Sequence, residues 1–89
     1  MTLAEVLNHV RRVELSEDDD QPETIYAQRP WGPASAALLA KALPDGRTSP
    51  VNGYDYFLEA SFAQDFFREW SASFDEGCGR IIQYAEKDA

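Results

Sequence analysis

One cysteine and one histidine stand in the 89 residues, and both scarcities close off chemistry. A lone Cys78 forms no disulfide within the chain and builds no cysteine-based metal cluster. A lone His9 would have to serve in any Ser-His-Asp or Cys-His arrangement, and a single imidazole is poor ground for a triad or a zinc site. Long apolar runs are missing too; none approaches the ~18 residues that a membrane span requires. The opening MTLAEVLNHVRR places acid and polar groups where a secretory signal needs an unbroken apolar stretch. A cytoplasmic chain with no membrane partner is the expectation.

Basic residues are scarce as well. Sixteen acids face eight bases, for a net charge of −8. The excess runs through the chain: residues 1–54 carry eight acids and five bases (−3), residues 55–89 eight acids and three bases (−5). Nucleic-acid binding needs clustered Lys and Arg to displace phosphate counterions, so direct contact with DNA or RNA is not expected. Anionic lipid is disfavoured for the same reason. A basic protein partner would suit this charge through long-range attraction, although acidity also serves plain solubility.

What is present reads as one globular domain spanning 1–89, since 44% hydrophobic and 12% aromatic content is too apolar for a disordered chain. Three segments begin as a capping box: Thr2-Leu-Ala-Glu5, Ser61-Phe-Ala-Gln64 and Ser73-Phe-Asp-Glu76. In each, a hydroxyl accepts from the N–H three residues on, and the Glu or Gln side chain returns to the cap N–H. Helices are therefore expected over about 3–12, 62–72 and 74–87. The first carries Leu3, Val6, Leu7 and Val10 at helical spacing, and Arg11 and Arg12 favour its C-terminal dipole. The second carries Phe62, Phe66 and Trp70 in one column, flanked by Ala63 and Phe67. The third carries Phe74, Cys78, Ile81, Ile82 and Ala85, with Gly77 and Gly79 each costing about 1 kcal/mol against Ala unless close packing requires them.

Extended segments lie between. Glu23–Gln28 reads as a strand, and Asp55–Ala60 as another, with Tyr54, Tyr56, Leu58 and Ala60 on one face and Phe57 on the other. Ala34–Leu43 is ambiguous. Its Ala, Leu and Lys favour a helix, but Pro33 and Pro44-Asp45-Gly46 bracket it, and a buried strand competes. Ser16–Pro22 and Pro44–Gly53 read as loops.

Several of these pieces together resemble a known pattern. The order is Trp31-Gly-Pro, a short apolar segment, Pro-Asp-Gly and Tyr56-Phe-Leu-Glu59. It continues through the Phe66…Trp70 helix to a closing Tyr84-Ala-Glu-Lys-Asp-Ala89. Residues 23–89 thus resemble a family of small acidic bacterial proteins that carry a domain of unknown function. Relatives with β-branched residues at Ala37-Leu38-Leu39 favour a strand over Ala36–Lys41. In size and charge the chain is also similar to bacterial immunity proteins, which bind and neutralise a cognate toxin; that likeness of type transfers no site.

The candidate sites are few. Cys78 lies on an apolar stripe, where a free cysteine is normally a core residue. Asp65 and Glu69 share a helix face, as an acid–base pair requires, but Asp65 has Arg68 in reach at i+3. Asp75 and Glu76 occupy a first helical turn, where negative charge is favourable. Asp18, Asp19 and Asp20 form a run without the alternation, central Gly and closing Glu of a calcium loop. They remain candidate contacts for basic groups on a partner. Trp31, held between Pro30 and Pro33, is either a lid over the core or a rigid partner contact.

The expected architecture is α+β: a small three-stranded, mainly antiparallel sheet packed by helices in the order α-β-β-β-α-α. The second and third helices are expected to supply most of the core through Phe62, Phe66, Trp70, Phe74, Ile81 and Ile82, leaving Tyr54 or Phe57 for an exposed sheet face. Functionally, the sequence points to a non-enzymatic, cofactor-free domain that binds a basic protein, as an immunity-type inhibitor or adaptor. The alternative is an acidic mimic of nucleic acid that blocks a DNA- or RNA-binding protein. An enzyme built on His9 comes third.

Overall fold

A computed structural model describes residues 1–13, 23–41 and 53–88. It contains α1 (Leu3–Val10), β1 (Glu23–Ala27), β2 (Ala37–Lys41), β3 (Asp55–Glu59), α2 (Ala60–Glu69) and α3 (Phe74–Asp88). The three strands form one antiparallel sheet in the order β2-β1-β3. The fold is α+β, in the α-β-β-β-α-α order that the sequence implies.

The first capping box forms in full. Thr2 Oγ1 accepts from the Glu5 N–H at 3.2 Å, and Glu5 Oε1 accepts from the Thr2 N–H at 2.8 Å. The remaining free donors of that first turn reach the loop ahead of β2: Leu3 N–H donates to Ser35 O (2.7 Å) and Ala4 N–H to Pro33 O (3.0 Å). The chain start is thereby bound to the sheet, and Ala37 N–H adds a bond to Met1 O. From this position α1 buries Leu3, Val6, Leu7 and Val10, each at most 1% exposed.

Ala37–Lys41 is a strand despite its helical propensity. A helix between Pro33 and Pro44 would be too short to stand alone, since nucleation costs more than a few turns return. Pairing with β1 supplies every residue of this strand with a register partner, from Ala37↔Ala27 to Lys41↔Glu23. Tertiary pairing overrides local preference here.

β1 is the central strand. Thr24, Ile25, Tyr26 and Ala27 are all fully buried, so both sheet faces are covered along it. Its pairing with β3 shifts register between Ile25 and Tyr26: Ile25 faces Leu58 and Tyr26 faces Tyr56, which leaves Phe57 as the extra residue of a β-bulge. The bulge breaks the alternation assumed from the sequence. Phe57 and Leu58 are both buried, at 2% and 5% exposed, so Phe57 is not on an open face.

α2 differs most from expectation. It begins at Ala60, with Glu59 at the cap and no side-chain cap bond, so Ser61 does not start it. Gln64, expected to close a capping box, instead sends its Nε2 54 residues back along the chain, to Val10 O at 3.1 Å and also to Val13 O. That cross-link satisfies carbonyls at the end of α1. The buried residues of α2 are Ala60 and Ala63, each 0% exposed. Small side chains let the helix axis lie close to the sheet, and the Phe62–Phe66–Trp70 column turns toward α3 and solvent. The core is therefore built by α1, the sheet and α3 (Cys78, Ile81, Ile82, Ala85), with Phe66, Phe67 and Phe74 partly buried against it. Phe62 lies outside it.

α3 starts with the hydroxyl half of its capping box, Glu76 N–H donating to Ser73 Oγ at 3.2 Å. It returns beside α2, with Phe62 meeting Tyr84 and Trp70 meeting Gly77. A Cβ at Gly77 would lie 2.7 Å from Phe67 Cε1 and 3.0 Å from two atoms of the Trp70 indole, whereas a Cβ at Gly79 would meet nothing within 4 Å. Close packing thus explains Gly77 and not Gly79.

Candidate partner-binding surface

Trp31 follows a cis Arg29–Pro30 peptide in the β1–β2 connection. Its indole is 7% exposed. The ring edge packs on Phe57 (centroids 4.9 Å apart, 80° between planes), and Nε1 donates to Ala27 O at 3.2 Å. The Arg29 guanidinium covers the ring at 3.9 Å and is itself 3.2 Å from Asp55. Ser35 Oγ fixes the turn below, accepting from Gly32 N–H and donating to Pro30 O. The arrangement is that of a lid over the core, with Arg29 lying on one face of the ring. Asp18, Asp19 and Asp20 lie outside the described residues.

The exposed aromatic surface is elsewhere. Phe62 and Tyr84 are 40% and 45% exposed, and their rings stack at 5.0 Å with 19° between planes. Beside them a recess of about 150 Å³ opens between β3, α2 and α3, lined by Tyr56, Leu58, Glu59, Phe62 and Tyr84. Of the other lining residues, Leu58 is buried and Glu59 is exposed. Further along the same pair of helices, Phe66 stacks on Trp70 at 5.3 Å and 18°. Trp70 also borders a broader recess with Glu76, Gly79, Arg80 and Gln83.

Charge on the exposed surface of β3, α2 and α3 is mostly negative. From Asp55 to Lys87, seven acids are exposed (Asp55, Glu59, Asp65, Glu69, Asp75, Glu76, Glu86), against three exposed bases, Arg68, Arg80 and Lys87. Asp65 and Arg68 form an exposed pair at 3.5 Å, which contributes at most about 1 kcal/mol. The opposite charge gathers at one place: Arg11, Arg12 and Arg68 line a recess with Val13, Gln64 and Phe67. Each of these arginines stands at a helix C-terminus, where it offsets carbonyl charge. Arg11 is held by Asn8 Oδ1 (2.9 Å) and lies 4.6 Å over the Phe74 ring. Helix termination accounts for this cluster.

The remaining candidates have structural surroundings. Cys78 is 2% exposed, and burial, followed by the Asp75 charge, pushes its thiol up to about 11. A thiol so placed is a poor nucleophile at neutral pH. His9 is exposed in the last turn of α1 and lines none of the three recesses above. Glu5 is held below the usual carboxylate range by the Thr2 backbone N–H and then its hydroxyl, which is a capping effect. Among the described residues, no group of three or more His, Cys, Asp or Glu is placed to hold a metal ion, and no helix is long and apolar enough to cross a membrane.

Phe62 and Tyr84 are the surface residues that sequence reasoning missed. A signal for Tyr84 was available, since it falls off the Cys78–Ile81/Ile82–Ala85 stripe. For Phe62 the signal was the second stripe on α2, Ala60–Ala63–Phe67, whose small residues suit a close helix–sheet approach better than the aromatic column does. Comparison with protein-family models, with curated proteins and with solved structures finds no match to this chain.

Proposed function

We propose that this domain binds a basic protein, as an immunity-type inhibitor or a small adaptor, through the aromatic face shared by α2 and α3. The observation that carries the reading is the exposed Phe62–Tyr84 stack with Glu59 beside it, on elements whose exposed charges are mostly acidic. Large aromatic rings are costly to leave in water and are typical binding anchors, while surrounding charge steers the encounter and selects the sign of the partner. Trp31 does not serve as the anchor in this reading, because its ring is already packed. The acidic nucleic-acid mimic fits less well, since the Arg11–Arg12–Arg68 recess interrupts the negative surface.

The test is affinity capture by the immobilised domain from the source cells, at low and high salt, beside a Phe62→Ser/Tyr84→Ser variant. One basic protein should be retained at low salt, released as salt screens the attraction, and lost from the variant. Retention of no specific protein, or equal retention by the variant, would overturn the proposal.

A further inference from the structure

The recess beside Phe62 and Tyr84 has a chemistry more specific than an apolar anchor. Three aromatic residues (Tyr56, Phe62, Tyr84), the buried Leu58 and the exposed acid Glu59 line it together. At about 150 Å³ it is smaller than the roughly 300–1,000 Å³ clefts that enclose small-molecule ligands, and suits one side-chain head group. Aromatic faces beside a carboxylate attract cations, and a planar guanidinium satisfies both, stacking on a ring while its fork of N–H groups meets the carboxylate. The protein already uses this combination within itself. Arg29 lies 3.9 Å over Trp31 while its Nε is 3.2 Å from the Asp55 carboxylate.

We infer that this recess is a receptor for an arginine side chain of the basic partner, with the guanidinium laid on the Phe62–Tyr84 stack and paired with Glu59. The inference rests on the partner-binding reading above and names its central contact. Glu59 suits the role because its carboxylate makes no capping bond to α2, although it occupies the cap position. Lysine fits less well, as a compact ammonium cannot extend a ring stack and carries a tighter hydration shell.

The experiment is a titration of the isotope-labelled domain, followed by amide and aromatic NMR shifts, with the blocked tripeptides acetyl-Gly-Arg-Gly-amide and acetyl-Gly-Lys-Gly-amide. The arginine peptide should give saturable shifts centred on Glu59, Phe62 and Tyr84, with the lysine peptide binding several-fold more weakly. Glu59→Gln and Tyr84→Leu should each weaken the arginine peptide about tenfold. Both positions are exposed, and thermal melting is to be used to check that each variant folds. Equal shifts with both peptides scattered over the acidic surface, or no shift at these residues, would overturn the arginine receptor. The two readings separate cleanly. If the tripeptide fails while capture of a basic protein still depends on Phe62 and Tyr84, only the arginine assignment falls; if capture fails as well, both fall.

Discussion

Replacing Gly79 by Ala and, separately, Gly77 by Ala should move stability in opposite directions, although the two glycines lie two residues apart in one helix. Each substitution removes the intrinsic cost of a helical glycine, about 1 kcal/mol. At Gly79 nothing opposes that gain, because the new methyl meets open space. Gly79→Ala should therefore stabilise by about 1 kcal/mol. At Gly77 the methyl would arrive 2.7 Å from Phe67 Cε1 and 3.0 Å from Trp70 Cδ1 and Nε1. Ordinary carbon contacts are about 3.5–4.0 Å, so both rings must yield. Neither is free to do so. Phe67 is held between Phe66 and Phe74, both at 5.2 Å, while Trp70 stacks on Phe66 and its Nε1 donates to Ser73 O at 2.8 Å. Overpacking of this kind costs about 1–3 kcal/mol. Set against the propensity gain, Gly77→Ala should be destabilising by about 0–2 kcal/mol, and the two variants should differ by about 1–3 kcal/mol. Urea denaturation followed by circular dichroism measures this directly, and the midpoints should differ by several degrees on heating. Trp70 fluorescence should change in Gly77→Ala alone. If Gly77→Ala stabilised the protein as much as Gly79→Ala, the close approach of α2 and α3 would be wrong.

Other expectations follow from the placement of the core. Leu7→Ala, at a fully buried position, should cost about 2–5 kcal/mol, while Phe62→Ala should cost less than about 1.5 kcal/mol; chemical denaturation that reversed this order would contradict the core. Trp31→Phe should lose the Nε1 bond to Ala27 O and part of the ring packing, lowering stability by about 1–3 kcal/mol. It should leave partner affinity unchanged, and calorimetry that found binding impaired in the folded variant would restore Trp31 as a contact. Cys78 should resist iodoacetamide at pH 8 in the native protein and react readily in denaturant. Its thiol pKa is raised from 9.0 to about 11 on folding, so the unfolded chain loses this proton first as pH rises. That linkage lowers stability from about pH 9 toward pH 11 and leaves it unaffected below. In Cys78→Ala this part of the alkaline loss should disappear.

The parts of the fold that depend on local chemistry were legible from the residues. The Thr2 capping box and the Leu3–Val10 stripe place α1 to within two residues, and Ser73 marks the start of α3. The element order follows from such signals. Two features depend on partners distant in sequence and escaped. The bulge at Phe57 exists only in the register between β3 and β1, and it moves Phe57 from an assumed open face to the core beneath Trp31. On α2 two apolar stripes compete, and hydrophobicity alone favours the aromatic one. Proximity to the sheet selects Ala60 and Ala63 instead, which sends Phe62 outward. The same choice creates the candidate binding face, so the site was hidden for the reason that the core was misassigned.

Charge was legible only as a total. The value of −8 does not reveal that Arg11, Arg12 and Arg68 come together while the carboxylates of β3, α2 and α3 stand exposed. That gathering of arginines appears once α1 and α2 bring their C-terminal ends to one recess, where Gln64 cross-links to Val10 and Val13.

The central claim is that a basic partner is bound through the α2–α3 aromatic face. Its most direct test is the dissociation constant of the captured partner, measured by calorimetry for the wild type, Phe62→Ser/Tyr84→Ser and Trp31→Phe, with each variant first shown to be folded. The account predicts that the double variant loses at least tenfold in affinity, as expected for about 1.4 kcal/mol or more at a binding anchor, and that Trp31→Phe matches the wild type. Wild-type affinity in the double variant, or a loss confined to Trp31→Phe, would contradict it.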